Sequence, residues 1–204
     1  PVLLATGAST LSEVDMAMST LLKHTSAIVL MQCNTNYTAS LENFKYINLN
    51  VLKDYSRRYP NTILGLSDHT PGHATVLGAV TLGARVIEKH FTNDITRCGP
   101  DHKFSMDFDA WQNMVDRTRE LENSLGLDTK KVEDNEKETV ILQRRAIRVK
   151  KSLTVGDIIC EDDLEFLRPC PKDALPPYDL GKIINKEIVR SIESGDYIKW
   201  KNIK

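Results

Sequence analysis

Cysteine is scarce and scattered in this chain. Cys33, Cys98, Cys160 and Cys170 are far apart among 204 residues and form no CxxC pair. That argues against a zinc knot or a disulfide framework and makes a reducing cytoplasm the expected compartment. An excess of either charge is also missing: 27 Lys and Arg stand against 28 Asp and Glu, a formal net charge of −1. There is no electrostatic reason to expect nucleic acid or an anionic membrane as partner. No apolar run approaches the roughly 20 residues that cross a bilayer. The opening Pro1-Val-Leu-Leu-Ala-Thr-Gly lacks the charged start and the length of a signal peptide. Internal repeats and low-complexity segments are absent too. What is present is a globular composition, 41% apolar, too high for a disordered chain. The length allows one medium domain or two small ones.

The chain falls into two styles. Up to residue 126, short β-rich runs alternate with helical patterns. Val2-Leu-Leu-Ala-Thr6, Ala27 to Cys33, Thr62 to Ser67 and Arg85 to Phe91 read as strands. Thr10 with Glu13 reads as a helix cap, a helix is expected over roughly 42–58, residues 73–83 are rich in Ala, Val and Leu, and Asp107 to Leu125 reads as an amphipathic helix. Such alternation indicates an α/β fold, a parallel sheet covered by helices on both faces or closed into a barrel, with its sites at the C-terminal ends of the strands. Residues 127–140 are charged, carry no apolar face, and read as a linker or an exposed helix. From 141 to 204 the pieces are very short and β-rich, separated by Gly and Pro turns, with Glu161 to Leu167 as a candidate short helix. A module of about 60 residues lies near the lower limit of independent stability.

Period-two alternation in the third strand puts Gly65, Ser67 and His69 on one face and Leu66 and Asp68 on the other. In the fourth, Glu88 and His90 share a face and Lys89 points away. Two imidazoles at the ends of neighbouring strands suit one divalent cation with positions left for substrate or water. The same spacing also fits two unrelated polar histidines near loop entrances, the commoner case on spacing alone. Thr6-Gly7 and Asn34-Thr35-Asn36-Tyr37 follow strands and suit a phosphate or carboxylate, although turn and capping chemistry explains such residues most of the time. Gly99-Pro-Asp101-His102 is first a turn signature. Arg144-Arg145 opens the small module as what is usually a solvated pair. Trp111 and Trp200 read as packing residues.

Five segments together resemble a known family. Leu-Ala-Thr-Gly-Ala-Ser-Thr (4–10), Gln-Cys-Asn-Thr-Asn-Tyr (32–37), Gly-Leu-Ser-Asp-His-Thr (65–70), Ile-Glu-Lys-His-Phe-Thr (87–92) and Gly-Pro-Asp-His-Lys (99–103) match the sialic acid synthases in order. The small module, from Gln143-Arg-Arg-Ala-Ile-Arg-Val through Gly156-Asp and Pro176-Pro, resembles their SAF domain, similar to type III antifreeze protein. The resemblance implies the C-terminal half of a (β/α)8 TIM barrel over 1–126, a linker over 127–140, and a SAF domain over 141–204. It further implies that the first half of the barrel, with its phosphate-holding lysines and a proton-transferring glutamate, is not in this chain. Half a barrel has open sheet edges, so the polypeptide alone is expected to be unstable or inactive.

The implied activity is that of a transferase, condensing phosphoenolpyruvate with the open-chain form of an N-acetylated amino sugar to give N-acetylneuraminate, legionaminate or pseudaminate plus phosphate. The implied cofactor is a divalent metal, usually Mn²⁺ with Mg²⁺ or Co²⁺ as alternatives, on His69 and His90. Ser67 and the tract around Asn34, Thr35 and Tyr37, with Thr6, match positions that hold phosphoenolpyruvate or the sugar. Asp101 matches a residue on the sugar hydroxyls, and Arg145 matches an arginine that reaches the N-acetyl group in the partner subunit of a domain-swapped homodimer. Two positions depart from many relatives: Ala5 stands where they have Ser, and Thr35 where they have Asn. Cys-Asn-Thr-Asn-Tyr-Thr also departs from the Tyr-Pro form common in neuraminate synthases, which tilts the reading toward a legionaminate-type enzyme. Another metal-dependent phosphoenolpyruvate aldol-type synthase, or a non-enzymatic SAF-containing binding protein, would share part of this pattern.

Overall fold

Runs of Leu, Ile and Val fit a strand covered on both faces, and four of them pair in this way in the computed structural model, which describes residues 1–204. β1 (Val2–Ala5), α1 (Leu11–Leu21), β2 (Ile28–Cys33), α2 (Val51–Arg58), β3 (Ile63–Asp68), α3 (Ala74–Thr81), β4 (Val86–Lys89) and α4 (Phe108–Leu125) follow one another along the chain. The strands lie in the order β1-β2-β3-β4, every neighbour parallel. A helix after every strand and a sheet in chain order is the winding of a (β/α) barrel, carried here through four units to a half-barrel sheet. The chain divides into two units, Pro1–Leu127 and Asp128–Lys204.

The first unit is held by one apolar layer between sheet and helices. Leu30 and Leu66 from the strands meet Met18, Leu52, Val76, Ala79 and Met114 from the helices, all buried. Helix starts are fixed chemically. Thr10 and Glu13 form a capping box, and the bonds from the Thr10 backbone and hydroxyl hold the Glu13 carboxyl below its ordinary range. Asp107 caps α4 through the Ala110 amide at 2.9 Å. The helix expected over 42–58 is in fact two pieces, a 3₁₀ segment at Leu41–Tyr46 and then α2. Asn48, at φ 50°, interrupts them in the left-handed region that asparagine tolerates better than most residues.

In the second unit, Asp134–Glu136 form a 3₁₀ turn leading into α5 (Lys137–Gln143). β5 (Ala146–Val149) pairs antiparallel with β6 (Leu164–Leu167), and α6 (Leu180–Ile183) follows. The expected helix over 161–167 is thus a 3₁₀ turn at Glu161–Asp163 followed by a strand. Ladder pairing of Leu164 with Val149, and burial of Leu164 among Ile147, Ile159 and Ile198, outweigh the local preference. Ten fully or nearly buried aliphatics, from Ile147 to Ile198, form this unit's core. No helix is long and apolar enough to cross a membrane.

Strand register places the chemistry. Cys33 pairs with Ser67, and Ser67 with Glu88; Asp68 pairs with Lys89. The period-two reading holds: Ser67 Oγ donates to Glu88 Oε1 at 2.8 Å on one face, and Lys89 Nζ meets Asp68 Oδ2 at 2.7 Å on the other. Gly65 shares the Ser67 face, where a Cβ would lie 2.8 Å from Met31 Cγ and 2.9 Å from the Val86 carbonyl oxygen. Backbone cannot yield there, so Gly65→Ala is expected to destabilise the protein by about 1–3 kcal/mol through overpacking. A urea unfolding midpoint equal to that of the unsubstituted protein would show that the strands part without strain.

Candidate active site

β3 and β4 end together, and one residue beyond the last paired position each carries a histidine. The rings of His69 and His90 stand 5.2 Å apart between centroids, inclined at 54°. His69 is buried, and its Nδ1 lies 2.9 Å from the Asn34 carbonyl oxygen at the end of β2. A carbonyl only accepts, so Nδ1 carries the hydrogen, and in the neutral ring Nε2 keeps the lone pair. This is the arrangement that orients a metal-ligating imidazole through its second nitrogen. Two further rings pack edge-on. Tyr37 approaches His69 at 4.3 Å and His90 at 5.8 Å, while Phe104 approaches His90 at 4.9 Å. Phe104 is 2% exposed and Tyr37 49%, so one backs the histidines and the other is open to a ligand. No group of three or more His, Cys, Asp and Glu side chains gathers for a metal; the donor set on offer is the two imidazoles.

Behind the histidines lies a closed polar knot. The Lys89 and Asp68 side chains are 1% and 0% exposed. Lys89 Nζ donates to Asp68 Oδ2 at 2.7 Å and to the Thr70 carbonyl at 2.6 Å. Asp68 Oδ1 also accepts the Thr70 amide at 3.0 Å, and Asp68 Oδ2 accepts the Thr75 hydroxyl at 2.5 Å, which ties in the first turn of α3. Every charged atom here has a partner, the condition under which a buried pair is tolerated.

The loop after β4 brings Asp101 to the histidines, its Oδ2 3.7 Å from His90 Nδ1, too long for a hydrogen bond. The loop is shaped by its own contacts. The Ser105 hydroxyl donates to the Asp101 carbonyl at 2.7 Å, and His102 Nδ1 meets the buried Thr92 hydroxyl at 2.7 Å. Gly99 lies over the His102 ring so closely that a Cβ would stand 2.7 Å from Cδ2.

The remaining residues singled out in the sequence distribute unevenly. Ser67 is buried, bonded to Glu88 and level with Cys33. Thr6, Asn34, Thr35 and Tyr37 line one cleft of about 830 Å³, which Tyr37 joins to the ring cluster. Within it, the Thr6 hydroxyl is engaged on the helix side of the sheet, donating to the Met31 carbonyl at 3.0 Å and accepting from Tyr55 Oη at 3.1 Å. The Asn34 side chain is likewise engaged, with the Tyr46 carbonyl and the Asn36 amide. Thr35 packs its methyl against Gly7. Arg145 belongs to the second unit, where it is exposed and donates to the Phe166 carbonyl at 2.9 Å. Phe104 was not legible as a site residue, because an aromatic in a polar loop carries no periodic signal; nor was the clamp made by Lys89, whose partner lies 21 residues away.

Burial is the main reason the Cys33 thiol is pushed up from its ordinary value, with the Ser67 hydroxyl opposing and Glu88 adding to the rise. The thiolate is the reactive form, so less of it exists at a given pH and the midpoint of its reaction moves to higher pH. Alkylation by iodoacetamide, followed peptide by peptide, is expected to modify exposed Cys98 well before Cys33 at pH 8, with Cys33 gaining as pH rises. Equal rates at both positions would mean the thiol is open to solvent.

Known proteins resemble the chain along its whole length. The NeuB family model matches residues 1–130 and the SAF domain model residues 144–204. The N,N'-diacetyllegionaminic acid synthase of Legionella pneumophila is 34% identical over 208 residues, covering 100% of this chain and 57% of that protein. The human N-acetylneuraminate-9-phosphate synthase is 30% identical over 168 residues, 82% of this chain and 46% of that one. Among solved structures, the N-acetylneuraminic acid synthetase of Leptospira borgpetersenii serovar Hardjo-bovis, in complex with citrate, superimposes with a TM-score of 0.59 at 29% identity over 68% of this chain and 47% of that one. The chain spans about half the length of the curated relatives it matches. With the histidines at adjacent strand ends and a SAF module following the half-barrel sheet, the chain belongs to the NeuB family of nonulosonic acid synthases.

Proposed function

We propose that this chain is the C-terminal portion of a cytoplasmic synthase that joins phosphoenolpyruvate to the open-chain aldehyde of an N-acetylated amino sugar, giving a nonulosonic acid and phosphate. The single observation that carries the proposal is the facing pair His69 and His90 at adjacent parallel strand ends, with Asp101 and Tyr37 beside them. In the balanced reaction, C3 of phosphoenolpyruvate forms a bond to the aldehyde carbon, water adds to C2, and the C2–O bond to phosphate breaks. His69 and His90 are the residues that would hold a divalent cation, Mn²⁺ first. Bound there, it supplies Lewis-acid polarisation of the aldehyde oxygen.

The chain's own residues have distinct parts. The Asn34 carbonyl holds His69 in one tautomer. Ser67 and Glu88 form a polar rung on the histidine side, at the level where phosphoenolpyruvate would lie. Asp101 accepts from sugar hydroxyls, and the exposed Tyr37 ring offers a face and a hydroxyl to the same substrate. Asn34, Thr35 and Thr6 shape the cleft, although the Thr6 hydroxyl is already committed to Met31 and Tyr55. Arg145 reads the N-acetyl group, delivered from the partner subunit of a domain-swapped homodimer. Barrel closure requires the remaining units, so the 204-residue chain by itself is inactive.

The acceptor we favour is a 2,4-diacetamido-2,4,6-trideoxymannose, giving legionaminate, ahead of N-acetylmannosamine. Both the Asn-Thr-Asn-Tyr tract and the likeness to two legionaminic acid synthases, 34% and 33% identical over 100% and 91% of the chain, support that choice. The test is phosphate release from phosphoenolpyruvate by the full-length enzyme with Mn²⁺ and each sugar in turn. Turnover is expected with the diacetamido sugar above N-acetylmannosamine, and His69→Ala or His90→Ala is expected to lower it about 10²-fold or more. Absence of release with every N-acetylated sugar would sink the proposal.

A further inference from the structure

We propose that Asp68 and Lys89 are positioning residues: their buried ion pair fixes the directions of His69 and His90 from the opposite face of the sheet. Asp68 and Lys89 form the last paired position of β3 and β4. The histidines come one residue later, just beyond the last paired position. Lys89 adds a side-chain tie at that point. Its ammonium holds the Asp68 carboxylate at 2.7 Å and the Thr70 carbonyl at 2.6 Å, so a side chain of β4 grips the residues on both sides of His69. On β3, Asp68 Oδ1 accepts the Thr70 amide at 3.0 Å, which closes a turn around His69. The Thr75 hydroxyl ties the same carboxylate to α3. The backbone that carries His69 is therefore held from in front by its neighbours, from the side by Lys89 and from behind by α3.

Stability alone does not account for the pair. It lies against the sheet–helix layer filled by Leu66, Val76 and Ala79. In such surroundings an apolar pair of similar volume commonly serves folding as well as or better than buried charges. What an apolar pair lacks is direction. Charged hydrogen bonds fix angle as well as distance, and partners that orient a metal ligand typically change metal affinity by about 10–100-fold when removed. The inference rests on the proposed metal role of the two histidines, and its test separates the two.

The experiment uses the full-length protein with two substitutions on the pair and one control. Asp68→Asn combined with Lys89→Met removes both charges yet keeps an acceptor for the Thr70 amide. Asp68→Glu keeps both charges and displaces the clamp by one methylene, which guards against a double variant that does not fold. Val80→Ala, in the same layer, lowers stability without touching the clamp. Two measurements are made on each: Mn²⁺ affinity by titration, and the tautomer of His69 from ¹⁵N-histidine spectra without metal. Both pair variants are expected to bind Mn²⁺ about 10–100-fold more weakly and to lose the single Nδ1–H tautomer of His69, while Val80→Ala keeps both properties. A folded pair variant with unchanged affinity and unchanged tautomer overturns the proposal, as does a Val80→Ala variant that loses both. If the unsubstituted protein bound no Mn²⁺, the metal reading would fall, and the tautomer spectra would still decide the positioning role.

Discussion

The rung at which Asp68 meets Lys89 organises the first unit on both of its faces. Parallel pairing brings the two residues level, and strand alternation sends their side chains toward the helices. One step earlier the same alternation sends Ser67 and Glu88 the other way, and one step later His69 and His90. A single register therefore yields a dry ionic contact under α3 and a polar surface on the reverse. A slip of one residue would exchange them, burying imidazoles against Val76 and Ala79 and turning two charges toward the site. A slip of one strand alone would leave the other strand's charge buried without its partner, a costly state, so the charges guard the register as well as fastening it.

Much of the first unit was readable because its signals are local. Apolar runs marked the four strands, period two sorted Ser67 from Asp68, and Thr10 with Glu13 marked the start of α1. Where the reading of 42–58 as one helix failed, the cause was one backbone angle at Asn48 that composition does not announce. At 161–167, three acidic residues before Leu and Phe suggested a helix, but pairing with β5 decided the outcome through contacts 15 to 21 residues distant in sequence. The candidate site divides the same way. His69, His90 and Ser67 could be placed on one face from alternation alone. The contact between the His69 ring and the Asn34 carbonyl, 35 residues apart, has no counterpart in residue pattern. The outward commitment of Thr6 is a similar case, since it depends on Tyr55 crossing over from α2.

The second unit achieves order by different means. β5, β6 and α6 are four residues each, too short to stand alone. Aliphatic side chains spaced from Ile147 to Ile198 converge on one centre, and isolated bridges such as Arg148 to Tyr197 and Ile188 to Ile203 close the chain around it. Gly156 and Gly195, at φ 95° and 84°, make turns that residues with a Cβ rarely adopt. Arg145 is thus mounted beside β5, where its guanidinium donates to the Phe166 carbonyl.

Tyr37 and the Asn34 carbonyl both reach His69 from the same short tract at the end of β2. One contact is made by a side chain and the other by the main chain, and the two answer differently to sequence change. At position 34 the imidazole depends on where the backbone runs, and the side chain acts only indirectly, through its bonds to the Tyr46 carbonyl and the Asn36 amide. At position 37 it depends on the ring itself. Side chains along this tract other than Tyr37 can therefore change without disturbing the histidine, provided the tract keeps its length and path. Insertions and deletions, rather than substitutions, are the changes this loop is built to refuse.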